Sequence, residues 1–263
     1  PGSRKFTLRN TPKVVGGLDS RSSELATVLY RQVADTVISV SCPEVAELTK
    51  VFENVFRNVN IALVNELTLL CEKMGISVWE VIDTSATKPF GFMPFYPGPG
   101  IGGHCILIDP YYLSWKAREY DFHSNFIELA AQTNESMPFR VVDRLFEVLG
   151  SNGIPSSKAR LLILGAAFKR DVEDTRHSPA IKVMELLNGK VRRVDYHDPH
   201  VPELELDGRV VRSKTLTAAR LRAADCVLIL TDHSAFDYGM ILEESRLILD
   251  TRNAIRRRGP RKL

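Results

Sequence analysis

From Pro43 to Met74 the chain runs without an internal proline or glycine, and apolar residues recur at helical spacing throughout. Pro43 suits the first helical position and Gly75 the C-terminal stop. About 31 residues rising ~1.5 Å each make a rod of roughly 46 Å, a length that usually joins two domains or builds a subunit interface. Whatever else the chain does, it must arrange itself around this helix.

On either side of Gly153 the periodicity changes. Before it, apolar spacing is mostly helical. Short strands are expected at Val14-Val15 and Val37–Ser41, with N-caps at Asp19-Ser20 or Ser22-Ser23 between them, and a short helix over Ser77–Thr84. Another helix is expected from Asp109-Pro110, and one from about Phe126 to Leu149 with a kink or break at Pro138. After Gly153, β-branched runs (Leu161–Gly165, Val191–Tyr196, Val210-Val211, Cys226–Leu230, Leu247–Asp250) alternate with helical stretches, the last of these near Ala235. The expected fold is therefore α/β: a central helical region with one long helix, followed by a doubly wound, parallel-sheet, Rossmann-like domain. In such a sheet ligands sit at the carboxyl ends of the strands, here carrying Lys169, Asp198, Thr231-Asp232 and Asp250–Arg252.

Composition excludes several classes. With 263 residues, 44% hydrophobic and 25% charged, bulk disorder and fibrous architectures are out. A net charge of +3, gathered largely in the basic run Arg252–Lys262, reads as a solvated end and gives no argument for nucleic acid. Cys42, Cys71, Cys105 and Cys226 form no C-x-x-C pair and suit a reducing compartment, which with the absence of an apolar span or signal peptide predicts a cytoplasmic protein with no membrane partner. His197-Asp198-Pro199-His200 offers an H-x-x-H, but a metal needs three or four convergent ligands and no partner cluster is evident, so no metal is expected.

Four places can carry chemistry. Lys50, Asn54, Asn58 and Asn65 fall within an arc of ~80° on the long helix, as either a solvated edge or the polar wall of a site. Gly98-Pro-Gly-Ile-Gly-Gly103 matches G-x-G-x-x-G formally, yet Pro94 and Pro97 precede it where a dinucleotide fingerprint needs a strand; a tight turn that lets backbone approach a ligand is the better account. His104-Cys105 follows, with Asp109 four residues on. Cys105 is either a thiolate nucleophile favoured by a helix N-terminus or a structural thiol, His104 either its base or a solvated side chain, and Asp109 either a helix cap or a group that orients water. Finally, Lys169 and Arg176 either meet phosphate oxygens or pair with Asp171 and Asp174.

Four blocks together, Ala46–Asn54 with Lys50, Pro97–Tyr112 with Gly-Gly-His-Cys105, Phe168–Ser178 with Asp174-Thr-Arg176, and Leu249–Asn253 with Asp250-Thr-Arg252, resemble the UDP-glucose and UDP-N-acetylhexosamine 6-dehydrogenases, the nucleotide-sugar dehydrogenase family. The resemblance covers the family's central and C-terminal portions. Residues 1–42 then correspond to the end of an N-terminal dinucleotide-binding domain, 43–153 to a central helical dimerisation region with the Cys loop, and 154–263 to a UDP-binding α/β domain. Pro1-Gly2 aligns with the end of the dinucleotide domain, so the main NAD site is expected to lie outside this chain. The implied chemistry is NAD-dependent oxidation of a sugar CH₂OH to a carboxylate. Cys105 would form a thiohemiacetal and then a thioester, Lys50 and Asn54 would stabilise the oxyanion, and Asp109 would serve the hydrolytic water. Lys169, Arg252, Tyr96, Gly100, Gly102 and Gly103 would meet the UDP-sugar, and Arg176 the NAD pyrophosphate. The length and apolar girth of the long helix exceed what one small domain can cover, so a homodimer through that helix is expected. His104 and Ile108 stand where the glucose enzymes usually have Ser and Lys, which favours a UDP-N-acetylhexosamine over UDP-glucose; Leu107 stands where relatives with Gly-Gly-His-Cys usually have Pro. The competing account is a nucleotide-sugar binding or dimerisation module that does no chemistry.

Overall fold

The computed structural model describes residues 5–255; Pro1-Gly2 and the basic residues from Arg256 to Lys262 lie outside them. The chain forms two compact units, residues 1–57 and 58–263, with the boundary inside the long helix α2, Pro43–Met74. That helix has the bounds its Pro and Gly punctuation requires.

In the first unit, β1 (Lys13–Val15) and β2 (Val37–Ser39) pair in parallel with Val14 opposite Ile38, joined by α1 (Ser20–Arg31). Asp19 caps α1 by accepting from the Ser22 N–H at 2.7 Å, while the Ser22 hydroxyl accepts from the Asp19 N–H, closing a capping box. Gly16 is obligatory here: a Cβ would lie 2.2 Å from the Cys42 carbonyl oxygen.

The second unit carries the rest of α2, then α3 (Val78–Ser85), α4 (Cys105–Ala117) and α5 (Asn125–Ser151). Two expectations are corrected. α4 begins at Cys105 rather than Asp109, so Asp109 lies in its second turn and cannot cap it. α5 passes through Pro138, so of the expected kink or break the break is ruled out.

The α/β region follows: β3 (Arg160–Leu164), α6 (Pro179–Leu187), β4 (Arg193–His197), β5 (Glu203–Leu206), β6 (Arg209–Arg212), α7 (Ala218–Ala223), β7 (Cys226–Ile229), α8 (Tyr238–Glu244) and β8 (Ile248–Asp250). The main sheet has the order β4-β3-β7-β8, all parallel. Its central strands β3 and β7 are buried on both faces, and alternation sorts their side chains. Leu161, Ile163, Cys226 and Leu228 join one core with α5 and α6; Leu162, Leu164, Val227 and Ile229 join the other with α7 and α8. β5 and β6 form a separate antiparallel hairpin through Asp207-Gly208, both at positive φ, a turn that Asp-Gly favours. The last helix starts at Tyr238, later than expected, because the Asp237 side chain accepts from the Met240 N–H and sets its cap there.

The strand order reverses at β3, so the crevice between the carboxyl ends of β3 and β7 is the topological switch point. Asp198 locks it. This fully buried carboxylate accepts from the backbone N–H groups of Ala166 (2.6 Å), Ala167 (3.0 Å), His200 (2.8 Å) and Val201 (3.1 Å) and from His233 Nε2 (2.9 Å). The Asp171 N–H donates to His233 Nδ1 at 3.0 Å, which leaves the ring proton on Nε2, facing Asp198. Burial alone would push the Asp198 carboxyl up, but these donors outweigh it and hold it down at about 2.

A carboxyl depressed from 3.8 to about 2 contributes stability that is fully present above pH ~4 and is lost as pH falls towards ~2. The linkage is on the order of 2 kcal/mol. Asp198→Asn is expected to lower the unfolding free energy at pH 7, read from urea titration by circular dichroism, by at least about that much, and to flatten the acid limb between pH 4 and 2.

Candidate active site

The proline- and glycine-rich segment between α3 and α4 is held from both sides. On one side stand three buried amides. Asn65 Oδ1 accepts from the Gly98 N–H at 3.0 Å, and Asn65 Nδ2 donates to Asn134 Oδ1 at 2.9 Å. Asn134 Nδ2 donates to the Asn58 carbonyl at 3.1 Å, and Asn58 Nδ2 donates to the Ile106 carbonyl at 3.0 Å. Pro110, inside α4, explains the last bond. It has no N–H to give the carbonyl four residues earlier, which is Ile106, so the carbonyl turns to Asn58 instead. Asn58 and Asn65 are thus buried amides that hold backbone and not a solvated edge.

On the other side lies the loop that follows β3. The Gly103 N–H donates to the Arg176 carbonyl at 3.0 Å. A Cβ on Gly102 would stand 2.6 Å from Phe168 Cβ and 2.8 Å from the His177 carbonyl oxygen; Gly103, at φ 85°, would meet the Phe168 ring at 2.9 Å. Gly100, at φ 132°, lies against the Asn134 carbonyl, which Pro138 deprives of its helical donor. Glycine is therefore needed by contact as well as by conformation.

The predicted substrate residues divide. Gly102 and Gly103 dock on the Phe168–Ser178 loop just before Cys105, which is exposed at the first residue of α4. Tyr96 and Arg252 instead line a cleft of about 1010 Å³ that Trp79, Arg140 and Arg144 also border. Tyr96 stacks on Trp79 at 5.6 Å, and its hydroxyl donates to Asp83 at 2.7 Å. Arg252 Nε donates to the Leu230 carbonyl at 2.9 Å, and its guanidinium packs against Gly98, where a Cβ would come within 2.5 Å of Nη1. Burial pushes this guanidinium down from its ordinary value, with Asp232 and Asp250 working the other way. The segment from Tyr96 to Gly103 therefore carries residues of both places.

Lys169 is exposed in the loop after β3 and has no ion-pair partner among the described residues. Arg176 pairs with Asp174, Nη2 to Oδ2, at 2.6 Å. In the first unit, Lys50 is exposed and paired with Glu53 at 3.4 Å, a contact worth little by itself. Asn54 is buried and accepts from Arg57 Nη2. Asp109 is half-buried. His197-x-x-His200 does not itself make a cluster: His200 instead joins Asp171 and His233, with ligand atoms within 4.8 Å of one another. Both ring nitrogens of His233 are engaged in hydrogen bonds, so the trio holds the strand-end loops together. His233 had no motif to announce it, only its position after β7; His177 stands inside the Phe168–Ser178 block, next to Arg176, but was not singled out there.

A parallel switch-point sheet, a long-helix region and an exposed cysteine on a glycine turn agree with the expected resemblance to the nucleotide-sugar dehydrogenases. The chain belongs to the UDP-glucose/GDP-mannose dehydrogenase family: residues 44–136 match its central domain and 162–257 its UDP-binding domain. It is 36% identical to a UDP-N-acetyl-D-mannosamine dehydrogenase of Pyrococcus horikoshii, over 97% of this chain and 59% of that protein. It is 32% identical to the same-named enzyme of Methanococcus vannielii, over 97% and 58%. The solved structure of UDP-D-ManNAc dehydrogenase from P. horikoshii superposes with a TM-score of 0.84 at 33% identity, covering 96% of this chain and 58% of that one. The chain thus spans a little under three-fifths of the length of these relatives. No helix of the described residues is long and apolar enough to cross a membrane.

Asn65→Ala removes the acceptor for Gly98 and the donor to Asn134, a cost of about 1–3 kcal/mol. The Gly98 amide is expected to exchange its hydrogen faster in that variant than α5 amides do, by hydrogen-exchange mass spectrometry.

Proposed function

We propose that the protein to which this chain belongs is an NAD-dependent dehydrogenase that oxidises the C6 hydroxymethyl of a UDP-N-acetylhexosamine to a carboxylate. The observation that carries this is the presentation of Cys105. It is the exposed one of the four cysteines, at the first residue of a helix, on a glycine turn clamped to the Arg176 carbonyl. Membership of the family and the UDP-N-acetyl-D-mannosamine dehydrogenase names of the relatives support it. His104 and Ile108 favour an N-acetylhexosamine over glucose.

Cys105 adds as thiolate to the C6 aldehyde, giving a thiohemiacetal, and water later cleaves the thioester to the acid. Lys50 supplies a fixed cation and Asn54 a donor to the oxyanion, and Asp109 directs the water. Tyr96 and Arg252 take the nucleotide-sugar, with Lys169, Gly100, Gly102 and Gly103. NAD, when bound in the whole enzyme, accepts the hydrides. Of this chain's residues, exposed Arg176 has the charge to meet its pyrophosphate, whereas Gly98–Gly103 follows no strand and does not fit a dinucleotide. Residues 1–42 close the dinucleotide-binding domain, 43–153 form the central region, and 154–263 bind UDP. The long helix forms a homodimer, supported by the exposed apolar side chains Leu48, Phe52, Phe56, Leu63 and Leu70 along it.

This chain alone is expected to bind UDP in calorimetry, to sediment as a dimer, and to form no NADH with a UDP-sugar. NADH formation by the chain alone, or a failure to bind UDP with the fold intact, counts against the proposal. In the whole enzyme Cys105→Ser should abolish acid formation. Lys50→Ala should lower kcat by about a hundred- to a thousandfold, with KM moving less.

A further inference from the structure

Cys105 stands among groups that its role as a bare nucleophile does not use. Its neighbour His104 is the N-cap of α4 but makes no side-chain capping bond. The His177 ring centroid lies 6.3 Å from that of His104, with the planes tilted by 53°. His177 holds a left-handed backbone, φ 51°, that a non-glycine residue adopts only where its surroundings impose it. The imposing contacts are visible: its carbonyl packs on Gly102, and its neighbour Arg176 accepts the Gly103 N–H. The turn that presents Cys105 thus also sets the second imidazole.

The charges around the pair are ordered. Asp174 accepts from the Arg176 backbone N–H at 3.0 Å and from its guanidinium at 2.6 Å. These bonds hold the Asp174 carboxyl below the ordinary range, and His104 adds to the effect. Asp174 in turn raises the Arg176 guanidinium, and the nearby Cys105 thiol contributes in the same direction. His104 thus precedes Cys105 in the chain, His177 lies beside His104, and Arg176 holds the turn two residues before Cys105, with Asp109 one turn along its own helix.

We propose that His104 and His177 form an imidazole pair that serves as the base for Cys105. The inference rests on the reading of Cys105 as the nucleophile. The S–H proton passes to imidazole, the thiolate sulfur forms its bond to the aldehyde carbon, and the imidazolium returns the proton to the alkoxide oxygen. Protons and electrons balance without a further reactant. Neither imidazole belongs to the Lys50, Asn54 and Asp109 set, so the pair adds a proton path to that machinery.

The test is alkylation of Cys105 by iodoacetamide in this chain, followed by peptide mass spectrometry from pH 5 to 9. Cys71 and Cys226 are buried, which leaves Cys105 the most accessible thiol. At pH 7 the wild type is expected to react about tenfold faster than His104→Gln with His177→Gln, and the variant profile should shift to higher pH. Free imidazole should restore the rate of His104→Ala, a rescue that a merely structural role would not give, and circular dichroism checks that each variant folds. A fast wild-type thiol with unchanged variant profiles and no rescue overturns the imidazole pair and leaves the nucleophile standing. A wild-type thiol no faster than glutathione overturns the nucleophile reading and the pair with it.

Discussion

The rest of the site depends on one buried carboxamide. Asn65 turns its oxygen to the Gly98 N–H and its nitrogen to Asn134, so the entry of the glycine turn is fixed to two helices at once. A carboxylate could accept but not donate, and an apolar residue could do neither, so both substitutions leave buried polar groups unpaired. Asn134 and Asn58 carry the ladder on to Ile106, in the first turn of α4. The two prolines inside α4 and α5 belong to the same design. Each frees a helical carbonyl, one answered by Asn58 and the other approached by Gly100.

With its entry fixed, the turn can be pressed against the loop after β3. Gly102 and Gly103 leave no room for a Cβ beside Phe168, and the Arg176 carbonyl takes the Gly103 N–H. The loop itself is anchored below by the Asp198–His233 pair at the switch point of the sheet. A continuous set of hydrogen bonds and contacts therefore joins the carboxyl ends of β3 and β7 to the first residue of α4. Reactive thiols need such support, because a misplacement of about 1 Å can cost a hundredfold in rate.

Much of this was legible in the residues. The long helix was bounded by Pro43 and Gly75, and the parallel sheet by its short β-branched runs. The false dinucleotide fingerprint was exposed by the prolines before it. What the sequence hid was mostly long-range. The start of α4 at Cys105 was masked by Asp109-Pro110, which reads locally as a cap and first turn; only the bond from Asn58, 48 positions away, makes Pro110 tolerable inside the helix. The β5 strand was missed because its Glu-Leu-Glu-Leu is short and charged, although Asp207-Gly208 gave the hairpin signal. His233 is isolated in sequence, and both it and His177, which stands within the Phe168–Ser178 block, matter through partners that only the folded chain supplies. The stripe of Lys50, Asn54, Asn58 and Asn65 was right in geometry, yet periodicity could not say which amides hold backbone.

On the proposed chemistry, the clamped turn presents Cys105 to form a covalent adduct with the sugar. The most direct measurement is intact-protein and peptide mass spectrometry of the whole enzyme carrying Asp109→Asn, after incubation with NAD and a UDP-N-acetylhexosamine. If water attack is slowed, a sugar acyl adduct on the Cys105 peptide should accumulate and disappear with Cys105→Ser. Slowed turnover with Cys105 unmodified would contradict the assignment of Asp109 to the hydrolytic water, and an adduct at any other residue would contradict the role of Cys105 itself.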